Sequence, residues 1–132
     1  GKPMETMASS DRLSPETYYY LAITSSRAGA SDHAQEFLRR TIALDPDFAD
    51  AYTLLGELLH DDGKLYEAKQ CYLEALRINP SLFVVHNNLA AVFANTGEYD
   101  AAMVHLKKAI EINPDYETAK KNFQKLLTGF YD

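Results

Sequence analysis

Residues 49–82 read ADAYTLLGELLHDDGKLYEAKQCYLEALRINPSL, and residues 83–116 read FVVHNNLAAVFANTGEYDAAMVHLKKAIEINPDY. Laid one above the other with no insertion or deletion, they agree where helices would touch. Leu55 lies over Leu89, Gly56 over Ala90, Gly63 over Gly97, Ala68 over Ala102, Tyr72 over Leu106 and Pro80 over Pro114. Residues 15–48 keep the same register through Leu21, Ala22, Gly29, Ala34, Leu38 and Pro46. The fourth residue of each copy is large: Tyr18, Tyr52, His86. A period held over three copies marks an array of one small unit, stacked so that neighbours bury each other's apolar faces. A four-helix bundle or a globin would not need that regularity.

Each recurring residue has a physical reason for its place. The small residues (Ala22 and Ala34, Gly56 and Ala68, Ala90 and Ala102) let two helices of a hairpin approach closely, where a larger side chain would force the axes apart. The glycine suits the turn after the first helix, because a positive φ costs it little. The proline falls after the second helix, where its missing N–H and fixed φ end the run. Between these marks apolar residues recur at helical spacing, as in Tyr52, Leu55, Leu59 and then Tyr72, Ala75, Leu76.

The pattern resembles the tetratricopeptide repeat family over residues 15–116, followed by a helix that fits the family's C-terminal solvating helix. The resemblance implies an all-α fold, a right-handed superhelix (α-solenoid) of three helical hairpins and a capping helix. Its units are expected at 15–48, 49–82 and 83–116, with the capping helix and tail at 117–132. Residues 1–14 read as a disordered tail or an added remnant. Helices are predicted at about 15–28, 31–44, 48–61, 65–78, 82–95, 99–112 and 116–128. Ser14 before Pro15 is a good start, and Asp47, Ser81 and Asp115 are the expected caps of later first helices. Ser25 and Thr41 replace apolar residues of the other copies, so the first unit reads as a polar cap. Ala119, Phe123 and Leu127 of the last helix are expected to cover the third hairpin, and Phe130 and Tyr131 either fold back onto it or lead into further chain.

Composition narrows the function classes. The chain has 132 residues, a net charge of −6 and 46% hydrophobic residues. No apolar run approaches the ~20 residues of a membrane span, and residues 1–14 lack a signal-peptide core. The pentatricopeptide architecture also stacks helical hairpins and binds RNA, but an acidic chain is a poor partner for phosphates, so no nucleic acid is expected. Cys71 is the only cysteine, which rules out an internal disulfide and favours a cytoplasmic setting.

The chain carries few residues in the patterns that chemistry requires. His86 takes a core position, and His33, His60 and His105 lack partners at zinc-motif spacing. Cys71 and His105 stand at equivalent positions one repeat apart, about 10 Å, too far for a nucleophile–base pair. There is no phosphate-cradling glycine loop and no G-x-S-x-G elbow. No catalytic residue, metal or cofactor is expected, and the function falls to surface shape.

In the resembled family the concave face is built from fixed positions of each first helix. Carried over, these are Tyr19, Tyr20, Ile23 and Arg27; Thr53, Leu54, Glu57 and His60; Val84, Asn87, Asn88 and Asn95; and Lys121, Asn122 and Lys125 of the capping helix. The expectation is a non-catalytic module binding a protein or peptide in this groove. Because Tyr18 fills the core position, Tyr19 and Tyr20 are spare aromatics: either binding hot spots or cover for the exposed end of the first hairpin. Asn88 and Asn122 form half of an asparagine ladder like that of O-linked N-acetylglucosamine transferases, or two solvated amides. The heat-shock co-chaperone branch clamps a terminal carboxylate with cations, whereas the matching positions here are Tyr19, Ile23, Leu54, Val84 and Asn88; chaperone tails are disfavoured. Self-assembly into a homo-oligomer, and service as the targeting segment of a larger enzyme, are the competing readings.

Overall fold

The computed structural model describes residues 13–129. The tail before Leu13, and the Phe130–Tyr131 question, lie outside the described residues. Seven helices follow in order: α1 (Pro15–Arg27), α2 (Ser31–Leu44), α3 (Ala49–Asp61), α4 (Leu65–Ile78), α5 (Phe83–Asn95), α6 (Tyr99–Ile112) and α7 (Glu117–Thr128). No strand occurs among the described residues. Helices pair as hairpins α1–α2, α3–α4 and α5–α6, and the hairpins stack through α2–α3, α4–α5 and α6–α7. The α-solenoid expected from the repeat is what the chain forms.

The turns explain the helix ends. Ser14 accepts a hydrogen bond from the Thr17 amide at 3.1 Å, with proline at the first helical position. After each first helix a glycine sits at positive φ: Gly29 at 80°, Gly63 at 77° and Gly97 at 79°. The next amide reaches back to close the helix, Lys64 N–H to Leu59 O at 2.9 Å and Glu98 N–H to Phe93 O at 2.8 Å.

The later caps differ from expectation. Helices α3, α5 and α7 begin one residue late, with Phe48, Leu82 and Tyr116 as N-caps that make no side-chain cap bond. The preceding Asp or Asn has taken over. Asp45 accepts from the Asp47 amide at 3.1 Å, Asn79 from Ser81 at 3.0 Å and Asn113 from Asp115 at 3.1 Å. These Asx turns fold the Asp-Pro and Asn-Pro linkers.

Packing follows the small-residue pattern. Ala22, Ala34, Ala68 and Ala102 are fully buried, and Ala90 nearly so. One apolar cluster runs from α1 to α5; a second joins α5, α6 and α7, with Phe93 packed against both. Thr41 is buried rather than part of a solvent-facing cap; its hydroxyl donates to the Phe37 carbonyl at 3.0 Å, which absorbs its polarity into the helix. On α7 the covering residues are Ala119, Phe123 and Leu126. Leu127 is 58% exposed, because spacings of four and then three keep a single helical face.

Candidate binding groove

A cleft joins α1 to α3, and side-chain bonds join α3 to α5 and α5 to α7, so residues repeating at three and four along these helices share one face. Between α1 and α3 lies a cleft of about 320 Å³, lined by Tyr19, Ile23, Ser26 and Arg27 from one wall and Asp50, Thr53, Leu54 and Glu57 from the other. Six of these eight are residues the sequence assigned to the groove. Ser26 and Asp50 were missed. Asp50 had a legible signal, since it holds the position that Val84 holds one repeat later.

The two tyrosines assigned to the groove part company: Tyr19 lines the cleft and Tyr20 does not. The Tyr19 ring packs on Phe48 with centroids 5.0 Å apart and joins the core edge. Tyr20 is 67% exposed. Burial raises the Tyr19 phenol above its ordinary pKa, and the nearby charges of Asp50 and Glu57 add to the shift. Burial also pushes the Glu57 carboxyl up, with help from Asp61. None of Arg27, Asp50, Glu57 and Asp61 takes part in an ion pair among the described residues.

Farther along, the amides serve the wall more than the opening. Asn87 is buried, and its side-chain oxygen accepts from Asn122 at 3.0 Å, tying α5 to α7. Asn122 thus bonds to Asn87, while Asn88, its equivalent one repeat earlier, is half-buried. The Asn95 amide donates to Nε2 of His60 at 2.9 Å and ties α3 to α5. Val84, Lys121 and Lys125 remain exposed.

The helical back holds a contact that linear spacing could not show. His86 is buried as expected, but its partner is His105, with the two Nδ1 atoms 3.1 Å apart. The Nε2 of His86 lies 2.9 Å from the Pro80 carbonyl, which can only accept. Nε2 therefore carries the proton, His86 Nδ1 accepts, and His105 Nδ1–H donates. Burial lowers both imidazole pKa values; at His86 the Pro80 hydrogen bond opposes the shift and the Lys108 charge adds to it, and His86 lowers that of His105 further. Burial pushes the Cys71 thiol up to about 11, which leaves little thiolate at neutral pH. Among the described residues no three His, Cys, Asp or Glu side chains gather to hold a metal. No helix there is long and apolar enough to cross a membrane.

Comparison with known proteins agrees with this fold. Residues 83–116 match the tetratricopeptide repeat family model, residues 56–97 a TPR repeat model, and residues 37–70 a further tetratricopeptide repeat model. The chain is 34% identical over 131 residues to anaphase-promoting complex subunit 3 of Schizosaccharomyces pombe, covering 90% of this chain and 19% of that protein. It is 34% identical over 92 residues to the protein O-mannosyl-transferase TMTC3 of Homo sapiens, covering 69% of this chain and 10% of that one. The fold superposes on the first TPR of Spaghetti (RPAP3), bound to the HSP90 peptide SRMEEVD, with a TM-score of 0.84 and 15% identity over 87% of this chain and 91% of that chain. The sequence thus spans a fifth or less of these two relatives.

Proposed function

The chain belongs to the tetratricopeptide repeat family, and we propose that it is a non-catalytic scaffold or adaptor module that takes a peptide or a partner's helix into its concave groove. The observation that carries this reading is the α1–α3 cleft, where aromatic, aliphatic and charged side chains share one concavity. Apolar partner residues dock near Tyr19, Tyr20, Ile23 and Leu54. Acidic or backbone groups of the partner lie toward Asn88, Lys121, Asn122 and Lys125.

Chaperone tails do not suit this groove. The SRMEEVD peptide that the Spaghetti repeat holds is rich in carboxylates, and capture of a carboxylate calls for charge-assisted donors. The matching positions here offer no cation, and Asp50 and Glu57 add repulsion. A cytoplasmic setting belongs to the same proposal, on the strength of a single cysteine.

The test is site-specific photo-crosslinking in a native lysate, with a photoreactive phenylalanine analogue at Tyr20 or at Tyr66, which is 70% exposed on α4 of the opposite face. Adducts from position 20 with few from position 66 support the groove. Adducts from position 66 alone remove it. With a captured peptide in hand, Tyr19→Ala/Tyr20→Ala is expected to weaken binding by about 2 kcal/mol. Since Tyr19 also packs on Phe48, the variant's melting temperature must be matched before affinity is compared.

A second reading takes the segment as the targeting part of a larger enzyme. It is favoured by the match to a named O-mannosyl-transferase over 10% of that protein, and the full reading frame around the segment decides it.

A further inference from the structure

We propose that the occupant of the α1–α3 cleft is an extended peptide carrying Lys or Arg, its cationic heads against Asp50 and Glu57 and its apolar side chains against Tyr19, Ile23 and Leu54. This deepens the groove reading above and rests on it.

The spacing of side chains on α3 sets the geometry of the occupant. Asp50, Leu54, Glu57 and Asp61 follow at intervals of four, three and four, so they occupy one helical face. At 1.5 Å per residue, Asp50 and Glu57 stand about 10 Å apart along the axis. An extended polyproline-II segment covers roughly that distance in three residues, and residues three apart point the same way. Two basic residues separated by two others therefore meet the two carboxylates in register. The apolar rise between the carboxylates, Leu54, takes the stem of a basic side chain or an intervening residue.

Charge decides what this concavity accepts. The ion pairs among the described residues engage Glu36, Asp47, Glu74, Glu111 and Glu117, and leave the carboxylates of the cleft free. Burial and Asp61 both penalise the charge on Glu57. An arriving cation relieves that penalty, and a hydrogen-bonded charge in a half-dry cleft interacts more strongly than one on open surface. The Tyr19 side chain lines the facing wall and brings an aromatic ring within reach of an arriving cation. Arg27 is the single cation lining the cleft. It lies two helical turns from Tyr19, about 12 Å along α1, and so marks the end where the peptide's positive charge must stop.

The experiment is selection of a phage-displayed library of random linear peptides on the full chain. Enriched peptides are then measured by fluorescence anisotropy against wild type, the shape-preserving variant Asp50→Asn/Glu57→Gln, and the shape-changing variant Tyr20→Ala/Ile23→Ala, each shown folded by circular dichroism. The expected result is enrichment of Lys or Arg, a loss of about tenfold or more in the neutralised variant, and weaker binding as salt rises. Peptides without basic residues, indifferent to neutralisation but lost with Tyr20→Ala/Ile23→Ala, overturn the cationic occupant and leave the groove standing. Peptides indifferent to both variants, or no enrichment at all, overturn both readings.

Discussion

The second and third hairpins share one backbone and one register yet solve the same packing problem differently. Between α3 and α4 the central contact sets the ring of Tyr72, 1% exposed, against a residue with no side chain, Gly56. Between α5 and α6 the same places hold Leu106 and Ala90. One turn away, where the third hairpin stacks His86 on His105 with centroids 5.3 Å apart, the second has Tyr52 and Cys71, and the first stacks Tyr18 on Phe37 at 6.2 Å. The repeat therefore conserves the space that two facing side chains fill together, and leaves their chemistry free.

The largest expected effect breaks the shared volume. A Cβ added at Gly56 would lie 2.6 Å from Cε1 and 2.8 Å from Cδ1 of Tyr72. In an ordinary helix Gly→Ala stabilises by about 1 kcal/mol. Here the overlap with a buried ring reverses the sign, and Gly56→Ala should cost about 1–3 kcal/mol. Tyr72→Leu alone leaves a void and should cost about 2 kcal/mol. The double variant installs the third hairpin's solution in the second, and should recover most of both losses in urea denaturation. Simple additivity of the two single changes would show that the pair is not the unit being conserved.

A smaller effect separates the hairpins by pH. The folded state lowers the pKa of both His86 and His105 beneath the ordinary 6.5, chiefly by burial. Between the folded and unfolded values the unfolded chain binds more protons, so stability is complete above about 6.5 and falls as pH drops through that window. Protonation also breaks the tautomer match, because two Nδ1–H groups would then face each other. Replacing the pair with that of the first hairpin, His86→Tyr/His105→Phe, should flatten this part of the profile. An unchanged slope after that exchange would assign it to other groups.

How much could be read beforehand follows from the same contrast. The helices, their glycine turns and the buried alanines were legible because each depends on positions in one register, and six of the eight cleft residues came out of it too. The His86–His105 and Asn87–Asn122 contacts were not. They depend on how one helix is rotated against another, and neither separation, 19 or 35 residues, equals the spacing of the repeat itself. The caps at Asp47, Ser81 and Asp115 were misread for a local reason. A polar residue before an apolar run signals an N-cap, but with Asp45, Asn79 or Asn113 two residues upstream the same amide closes an Asx turn instead.

The smallest effect concerns the seams between hairpins. Buried Gln35 on α2 donates to Asp62 at 2.9 Å, while the exposed Asn95–His60 bond joins α5 to α3 at the same length. Length does not rank them; burial does, because a stranded buried group loses water as well as its partner. Asp62→Ala should cost about 1 kcal/mol, moderated by the bond Gln35 keeps to Ser31 at 3.1 Å. Asn95→Ala should cost about 0.5 kcal/mol, since water takes its place. In a stacked array each seam acts mainly on its neighbours. Hydrogen exchange after Asp62→Ala should therefore speed up in α1 and α2 and leave α6 and α7 protected. Equal acceleration throughout would mean that the three hairpins unfold as one body, and that the differences between them are local chemistry within a single cooperative unit.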